Sequence, residues 1–298
     1  MVSHLRKCMD GGFIRTSDAP KWLYANLHYE VKMGSQSYGV SNDDSDFDVY
    51  GFAIPPKEIV FPHLSGEIEG FGVKNPRFDQ YQMHHVQADS VEYDFTIYNI
   101  VKYFQLCMDN NPNMIDSLFV PTDCVLYISK VGNMVRENRH MFLHKGSWHK
   151  FKGYAYSALS KIKSGANKSN PKRAETIEKF GFDVKHAYQV VRLINEVEQI
   201  LTVGDLDLRK NNEHLKAIRR GEVSLEEIQK WFSDKELALE KAYSESTLPY
   251  KADEVKIKQL LLDCLEDHYG DLSSAIVVEK NMRVFGEELR SLLNKYDL

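Results

Sequence analysis

Two aspartates separated by one residue, Asp46 and Asp48, constrain most strongly how this 298-residue chain folds. They begin the segment DFDVYGFAI at residues 46–54, where polar and apolar residues alternate as they do in a half-buried β-strand. On a strand, side chains two positions apart point to the same face, so the two carboxylates would lie side by side. Carboxylates at that separation repel each other, and a divalent cation is the strongest compensation available. The alternative interpretation is a solvated strand edge.

A Gly-Ser pair, Gly34 and Ser35, precedes Asp46 by twelve residues. Glycine lets the backbone approach a phosphate closely, and backbone N–H groups and a serine hydroxyl can then bind its oxygens. Gly-Ser on its own is a common turn. The segment VEYDFTI at 91–97 is a second strand candidate. Its Asp94 is our choice for a third carboxylate, with Glu92 on the same face as the alternative.

The chain divides into two parts by pattern. Up to about residue 125, strand-like and helix-like segments are mixed, and the apolar spacing predicts helices over 20–32 and 99–108. A turn-rich stretch separates the two strand candidates and predicts an irregular insertion or a hairpin. Beyond residue 125, helical periodicity dominates over 150–163, 174–202, 224–243, 254–268 and 278–295. The sequence therefore predicts an α+β fold, with a mixed sheet and helices over residues 1–125 and an all-helical domain over 126–298 that completes a cleft.

The composition is that of a globular protein, with 43% hydrophobic and 27% charged residues. A net charge of -5 argues against a protein held to nucleic acid by bulk charge. The chain has no apolar run of about 18 residues and no apolar signal-peptide core at its start. Its four cysteines are far apart and show no metal-binding spacing. We therefore expect free thiols, a cytoplasmic location and no membrane partner; no pattern indicates an oligomeric state.

Basic residues are concentrated between residues 136 and 173, where the only acidic residue is Glu137. Aromatic residues such as Trp148 and Tyr154 lie among them. Cations neutralise phosphates and aromatic rings stack on unpaired bases, so one interpretation is a groove for a polynucleotide or a nucleotide triphosphate. The other is a solvated helix face with the aromatic residues in the core. Under the first interpretation, the polynucleotide would contact Lys161, Lys163, Lys168, Lys172 and Arg173.

In the predicted helix at 174–202, the cations Lys185 and Arg192 are seven residues apart and therefore on one face. Its many apolar residues indicate burial, and a buried helix with cations needs anionic partners. Glu196 and Glu198 are local candidates for those partners. The interpretation that we favour has both cations facing the cleft and binding a triphosphate.

The segment GSQSYGVSNDDSDFDVYG at 34–51 resembles the Gly-Ser and Asp-x-Asp signature of the DNA polymerase β superfamily of nucleotidyltransferases. Further segments resemble, more narrowly, the RNA-ligase-associated nucleotidyltransferases found in phages and bacteria. They are DFTIYNIVKYFQLCMDNNPNMIDSLF at 94–119, KHAYQVVRL at 185–193, IRRGEVSLEEI at 218–228 and STLP at 246–249. The resemblance spans about residues 33–265.

The resemblance implies a polymerase β-like mixed sheet and an enzyme that moves a nucleoside monophosphate from an NTP, such as ATP, to an acceptor hydroxyl with release of pyrophosphate. It places nucleotide binding on Gly34 and Ser35, and two Mg²⁺ or Mn²⁺ ions on the catalytic residues Asp46, Asp48 and Asp94. In a two-ion site, one ion activates the attacking hydroxyl and the other binds the triphosphate.

An RNA 3′ end is the acceptor that we favour, because of the basic, aromatic stretch and the association of the family with RNA ligases. A protein side chain or a small molecule is the alternative, since the same superfamily core serves both. A nucleotide-binding regulator without turnover is a third hypothesis, against which the three filled acidic positions argue. A structural nucleic-acid-binding protein is a fourth, and it leaves the acidic cluster without a purpose.

Overall fold

The computed structural model describes residues 2–15, 17–41, 47–66, 68, 77–164 and 171–271, together with 286, 289, 290 and 293. The described residues form one five-stranded sheet in the order β3-β4-β2-β1-β5. β2 and β4 are parallel, and the other neighbouring strands are antiparallel. The mixed sheet confirms the predicted α+β class. The strands are β1 (Leu27–Lys32), β2 (Phe47–Ala53), β3 (Gln80–Ala88), β4 (Val91–Asn99) and β5 (Val125–Ile128).

Helices account for most of the chain after β5. The α-helices are α1 (His4–Asp10), α2 (Lys57–Val60), α3 (Ile100–Met108), α4 (Pro112–Phe119), α5 (Lys130–Glu137), α6 (Ser147–Ser164), α7 (Pro171–Phe180), α8 (Val184–Val203), α9 (Asn212–Arg219), α10 (Leu225–Glu245) and α11 (Glu254–Tyr269). The helix predicted over 174–202 is two helices, α7 and α8, separated at Gly181, whose φ of 82° ends a helix readily. The helix predicted over 278–295 lies almost entirely outside the described residues. Within them, no helix combines the length and apolar character needed to cross a bilayer.

One prediction of local structure was wrong. Residues 20–32, predicted as a helix, form turns followed by β1. β1 (LHYEVK) alternates apolar and polar residues, but its Leu27 and Val31 continue a helix-like spacing that begins at Leu23 in the turns before it. That coincidence across two different segments predicted a helix. The turn-rich stretch before β4 ends in a further strand, β3, which forms a hairpin with β4.

The two faces of the sheet are covered by different parts of the chain. On the front face, Tyr29 and Phe52 belong to the core that α3 to α11 complete, which extends to Cys264. On the back face, Val49 and Phe95 pack with the N-terminal segment, including Leu5 of α1. The front core is continuous across residue 125, and β5 begins there; the division into domains at 125 stays a prediction.

Candidate active site

Asp48 and Asp94 lie side by side on the two parallel strands of the sheet. The register of β2 and β4 pairs the Cα atoms of Asp48 and Asp94, and pairs Tyr50 with Thr96 on the same, front face. Both aspartates are half-buried. Burial, followed by the neighbouring Tyr98 and the two carboxylates, raises the pKa of the Tyr50 hydroxyl well above its usual range. Both carboxylates are therefore close enough to act on the same hydroxyl, on the front face of the sheet.

The first acidic residue of the sequence motif cannot be placed in the same way. Asp46 lies outside the described residues, as do the other residues from 42 to 45. β2 begins at Phe47, directly after it. The prediction that Asp46 joins the pair thus rests on its position two residues before Asp48 along the chain.

The Gly-Ser turn packs against the Asp48 carboxylate. Gly34 follows β1, has a φ of 65° and begins a short 3₁₀ helix with Ser35. A Cβ atom at Gly34 would overlap Oδ2 of Asp48, so a side chain at this position would displace the carboxylate. The N–H of Met33 donates to the main-chain oxygen of Asp48 over 2.8 Å, which fixes the turn to β2. The structure thus brings the predicted phosphate-binding turn and a predicted ion ligand together.

Hydrogen-bonding groups of this turn remain available. Ser35 is half-buried, and its main-chain oxygen accepts a bond of 2.9 Å from the N–H of Val40. Within the part of the chain that the structure describes, no residue accepts a hydrogen bond from the N–H of Gly34 or from the Ser35 hydroxyl. Unpartnered donors beside a glycine with positive φ are suited to anionic oxygens.

Asp94 and Glu92 have different surroundings, although both point to the front face. The Glu92 carboxylate accepts hydrogen bonds from the side chains of His85, at 2.7 Å, and Gln87. It stands two residues further out along β4, opposite Gln87 and away from Asp48. Asp94 is the more buried of the two, with 23% of its side chain exposed against 37% for Glu92. This geometry favours Asp94 as the partner of Asp48.

The donor set fits a hard divalent cation. Asp48 and Asp94 supply carboxylate oxygens, the ligands that Mg²⁺ and Mn²⁺ prefer, and leave positions for phosphate oxygens and water. Among the described residues, no three histidine, cysteine, aspartate or glutamate side chains are arranged to hold an ion. Asp46 is the candidate for the missing ligand, and it lies outside those residues.

Helix α8 approaches the carboxylates through Tyr188. Burial raises the pKa of the Tyr188 hydroxyl; Arg192 and Arg219 act to lower it, and Asp48 acts to raise it. The guanidinium of Arg219 lies 5.5 Å from the centre of the Tyr188 ring and donates to the main-chain oxygen of Val40 over 2.6 Å. Arg219 belongs to the segment IRRGEVSLEEI, to which the sequence analysis gave no role. It therefore ties α9 to the end of the Gly-Ser turn.

The two cations predicted to face the cleft have different positions. Lys185 is exposed in the first turn of α8. Arg192 is buried, and its guanidinium donates to Asp116, to Glu196 at 3.0 Å and to the hydroxyl of Tyr38 at 2.8 Å. Arg192 has its anionic partners inside the core, as in the local alternative, so we do not propose it as a triphosphate ligand.

The family described as the RNA repair pathway DNA polymerase beta family matches residues 16–271. The chain belongs to this family. Membership of the RNA repair pathway DNA polymerase beta family indicates nucleotidyltransferase-type activity on a nucleotide substrate.

Comparison with other proteins adds little to the family match. A crystal structure of a nucleotidyltransferase-like protein from Exiguobacterium sibiricum is similar to the chain at 8% identity and a TM-score of 0.28, over 82% of this chain and 75% of that one. A search of curated proteins gave no significant match.

Several cations of the basic stretch have internal roles in this family member. Arg136 donates to the Tyr29 hydroxyl and to two main-chain oxygens of the core. Lys152 pairs with two glutamates of α10. Arg173 pairs with Asp183 at 3.0 Å, which reduces its availability to a polynucleotide. The solvated-face interpretation therefore describes part of the stretch.

Two of the lysines that the sequence predicts to contact a polynucleotide lie at the C-terminal end of α6. Lys161 and Lys163 are exposed there, and Tyr154, on the same helix, is 41% exposed. Lys168 and the side chain of Lys172 lie outside the described part of the chain. Trp148 and other aromatic residues that could have stacked on bases are buried in the core. The surface left for a polynucleotide is thus narrower than the sequence predicts.

Two histidines that the sequence analysis did not single out lie beside Asp94. The main-chain N–H of His85 donates to Oδ1 of Asp94 over 2.8 Å, and Nδ1 of His84 lies 3.4 Å from Oδ2. Both belong to β3, which was not predicted as a strand, so nothing in the sequence indicated that they would face Asp94.

Proposed function

We propose that this protein transfers a nucleoside monophosphate from an NTP to the hydroxyl of an RNA 3′ end and releases pyrophosphate. One observation carries the proposal: the carboxylate of Asp48, which is in register with Asp94 on the neighbouring strand, lies directly against the Gly34 turn. Transfer of a nucleotide to a hydroxyl requires backbone groups that bind the phosphates and carboxylates that bind the metal ions, in one site.

We assign the ion-binding role to Asp46, Asp48 and Asp94. Two Mg²⁺ or Mn²⁺ ions held there would neutralise the triphosphate and lower the pKa of the acceptor hydroxyl. Without a cation, two paired carboxylates would repel the phosphates of the substrate. This requirement, together with the oxygen-rich donor set, supports metal dependence.

Residues of the chain supply the remaining parts of the reaction. The N–H of Gly34 and the hydroxyl of Ser35 would donate to the triphosphate oxygens, and Lys185 would neutralise the leaving pyrophosphate. The acceptor oxygen forms a bond to the α-phosphorus while the bond from that phosphorus to the bridging oxygen breaks. Asp94 is our choice to accept the proton of the acceptor hydroxyl. Its strand, β4, lies next to the edge strand β3, whereas the strand of Asp48 lies further inside the sheet.

The choice of RNA rests on the family and on α6. The matching family is described as belonging to an RNA repair pathway, and the exposed Lys161 and Lys163 provide cations for phosphates. Nucleotidyl transfer to a protein or a small molecule would use the same carboxylates but would not need these lysines. The acceptor and the chemistry can therefore be tested separately.

The experiment uses each α-³²P-labelled NTP with Mg²⁺ or Mn²⁺ and two versions of one RNA, ending in a 3′ hydroxyl or a 3′ phosphate. We expect label to join the first RNA only, and a shift of its length on a denaturing gel. Label on both RNAs would exclude the 3′ hydroxyl as the acceptor. Label on added protein or in a small product, with neither RNA labelled, would exclude RNA as the acceptor.

A matched pair of variants tests the carboxylate assignment. Asp94→Ala should lower kcat by at least about a hundredfold, because electrostatic stabilisation by an ion is worth several kcal/mol. Glu92→Ala removes a carboxylate from the same face of the same strand and should have a small effect, since Glu92 is bonded to His85 and Gln87. The reverse order of effects would show that Glu92 is the third carboxylate.

A further inference from the structure

The hairpin of β3 and β4 contains one extra residue opposite Asp94. Met83 pairs with Phe95 and Val86 pairs with Tyr93, so β3 uses two residues between these pairs where β4 uses one. The two residues of β3 are His84 and His85. Such a bulge locally bends a strand and redirects the groups that it carries.

The bulge brings two groups to the two oxygens of one carboxylate. The main-chain N–H of His85 donates to Oδ1 of Asp94 over 2.8 Å, and Nδ1 of His84 lies 3.4 Å from Oδ2. The ring of His85 instead contacts Glu92, at 2.7 Å between Nδ1 and Oε1. The same residue thus holds Asp94 by its main chain and Glu92 by its side chain.

The backbone conformation of His85 is costly. Its φ is 58°, in the left-handed region that residues other than glycine rarely adopt. Hairpin turns commonly contain such residues, but His85 lies inside the strand, four residues before the turn at Asp89 and Ser90. Strain of this kind persists where the surrounding structure enforces it, and it is concentrated at functional sites.

We propose that the β3 bulge is a positioning device that fixes the rotation of the Asp94 carboxylate towards Asp48. The proposal rests on the proposed function, in which Asp94 is an ion ligand. His85 acts through its main-chain N–H and His84 through its ring, and each acts on Asp94 and not on the substrate. Hydrogen bonds to ligating carboxylates orient them, and their loss weakens metal binding and activity.

Deletion of His85 and His85→Gly form a matched pair of variants. The deletion leaves Met83, His84 and Val86 opposite Phe95, Asp94 and Tyr93, which is a regular antiparallel register. The deletion removes the strained residue and, with it, the main-chain N–H that donates a hydrogen bond to Asp94. His85→Gly removes the ring but keeps the N–H and a residue that adopts positive φ without strain.

The first readout is Mn²⁺ affinity, measured by electron paramagnetic resonance on the purified proteins. The deletion should weaken Mn²⁺ binding by about 10- to 100-fold, as loss of such supporting hydrogen bonds does. His85→Gly should bind Mn²⁺ as the wild type does. The melting temperature of the deletion variant should be unchanged or higher, because the strained residue is gone.

The second readout separates kcat from KM. The deletion should lower kcat and leave the KM for NTP nearly unchanged, because the Gly34 turn is untouched. His84→Ala should weaken Mn²⁺ binding, and His84→Gln, which restores a polar group, should recover part of it. These single substitutions test the proposal even where the deletion variant does not fold.

The outcomes distinguish this proposal from the proposed function. Wild-type Mn²⁺ affinity in a folded deletion variant, or equal losses in the deletion and His85→Gly, would overturn the positioning role even with nucleotidyl transfer intact. Mn²⁺ binding weakened by the deletion but not by His85→Gly would support it even if no acceptor were labelled. Unchanged Mn²⁺ binding in Asp94→Asn would overturn both the ligand assignment and the positioning role.

Discussion

Replacing Arg192 by methionine should destabilise the protein strongly, because it leaves buried carboxylates without a cation. The guanidinium donates to Glu196 at 3.0 Å, to Asp116 and to Tyr38, and none of these four side chains is more than 6% exposed. Removing one partner of a buried ion pair costs about 3–5 kcal/mol. At about 2–4 °C per kcal/mol, the melting temperature should fall by roughly 6–20 °C.

Thermal and urea unfolding of Arg192→Met measure this loss, and Arg220→Met is the control. Arg220 also pairs with one carboxylate, Glu222, but both side chains are more than half exposed, at 55% and 53%. An exposed pair of that kind contributes little to stability, because water and salt screen the attraction. A loss in Arg192→Met no larger than in Arg220→Met would refute the reasoning.

The effect of pH has a defined sign. Burial raises the pKa of Asp116 and of Glu196, and Arg192 opposes this shift for both. A carboxyl group whose folded-state pKa lies above its unfolded-state pKa takes up a proton on folding, so stability falls as pH rises between the two values. Without Arg192 the folded-state pKa values rise further. The deficit of Arg192→Met should therefore be smaller at about pH 5 than at about pH 8.

A combined variant separates a structural role of Arg192 from triphosphate binding. Arg192→Met together with Asp116→Asn and Glu196→Gln removes the charges of all three, and most of the lost stability should return. NTP affinity, measured by calorimetry, should then be close to that of the wild type. A stable triple variant with lost NTP affinity would show that Arg192 contacts the triphosphate after all.

Three further predictions concern other parts of the molecule. Burial raises the pKa of Glu30 from 4.5 to about 7, so the contribution of Glu30 to the free energy of unfolding falls as pH rises between these values. Glu30→Gln should therefore flatten the pH dependence of unfolding in that interval. Gly34→Ala should lower NTP affinity and kcat, because the new Cβ would displace the carboxylate of Asp48. Gly12→Ala is the control and should change neither, since Gly12 also has a positive φ, of 74°, but a Cβ there would meet no atom within 4 Å. Lys161→Gln with Lys163→Gln should lower the slope of log RNA affinity against log salt by about 0.7 per lost contact.

Each of these predictions has a contradicting result. A pH profile of unfolding that Glu30→Gln leaves unchanged would show that Glu30 does not titrate between those pH values. Equal activity of Gly34→Ala and Gly12→Ala would mean that the turn does not need the close approach seen at Gly34. An unchanged salt slope, or no RNA binding by the wild type at low salt, would remove the end of α6 as an RNA-binding surface.

The sequence predicted β2 and β4 as strands, but not β1 or β3. β2 and β4 were predicted because polar residues such as Asp48 and Asp94 recur along them. β1 alternates as well, but its Leu27 and Val31 also continue a helix-like spacing that begins at Leu23 in the turns before the strand. β3 carries exposed polar residues on its front face, among them Gln80 and His84, and so resembled a loop.

The site could be predicted only as far as residue types and short spacings define it. The placement of Gly34 against Asp48 joins two segments that are close in the chain, and the motif indicated it. Arg192 has partners 76 and 154 residues away, in Asp116 and Tyr38, and helical periodicity could not identify them. The bulge that holds Asp94 inserts one extra residue of β3 opposite β4, and its place is defined only by the pairing of the two strands.

The measurement that tests the central claim most directly is metal-dependent pyrophosphate release by the wild type and by Asp48→Asn. With an NTP, RNA and Mg²⁺ or Mn²⁺, the wild type should release one pyrophosphate for each nucleotide joined to RNA, and chelation of the metal should stop it. Asp48→Asn should fold normally and lose at least about a hundredfold in rate, because it removes an ion ligand. Pyrophosphate release by Asp48→Asn at the wild-type rate, or release that continues without a divalent ion, would contradict the account.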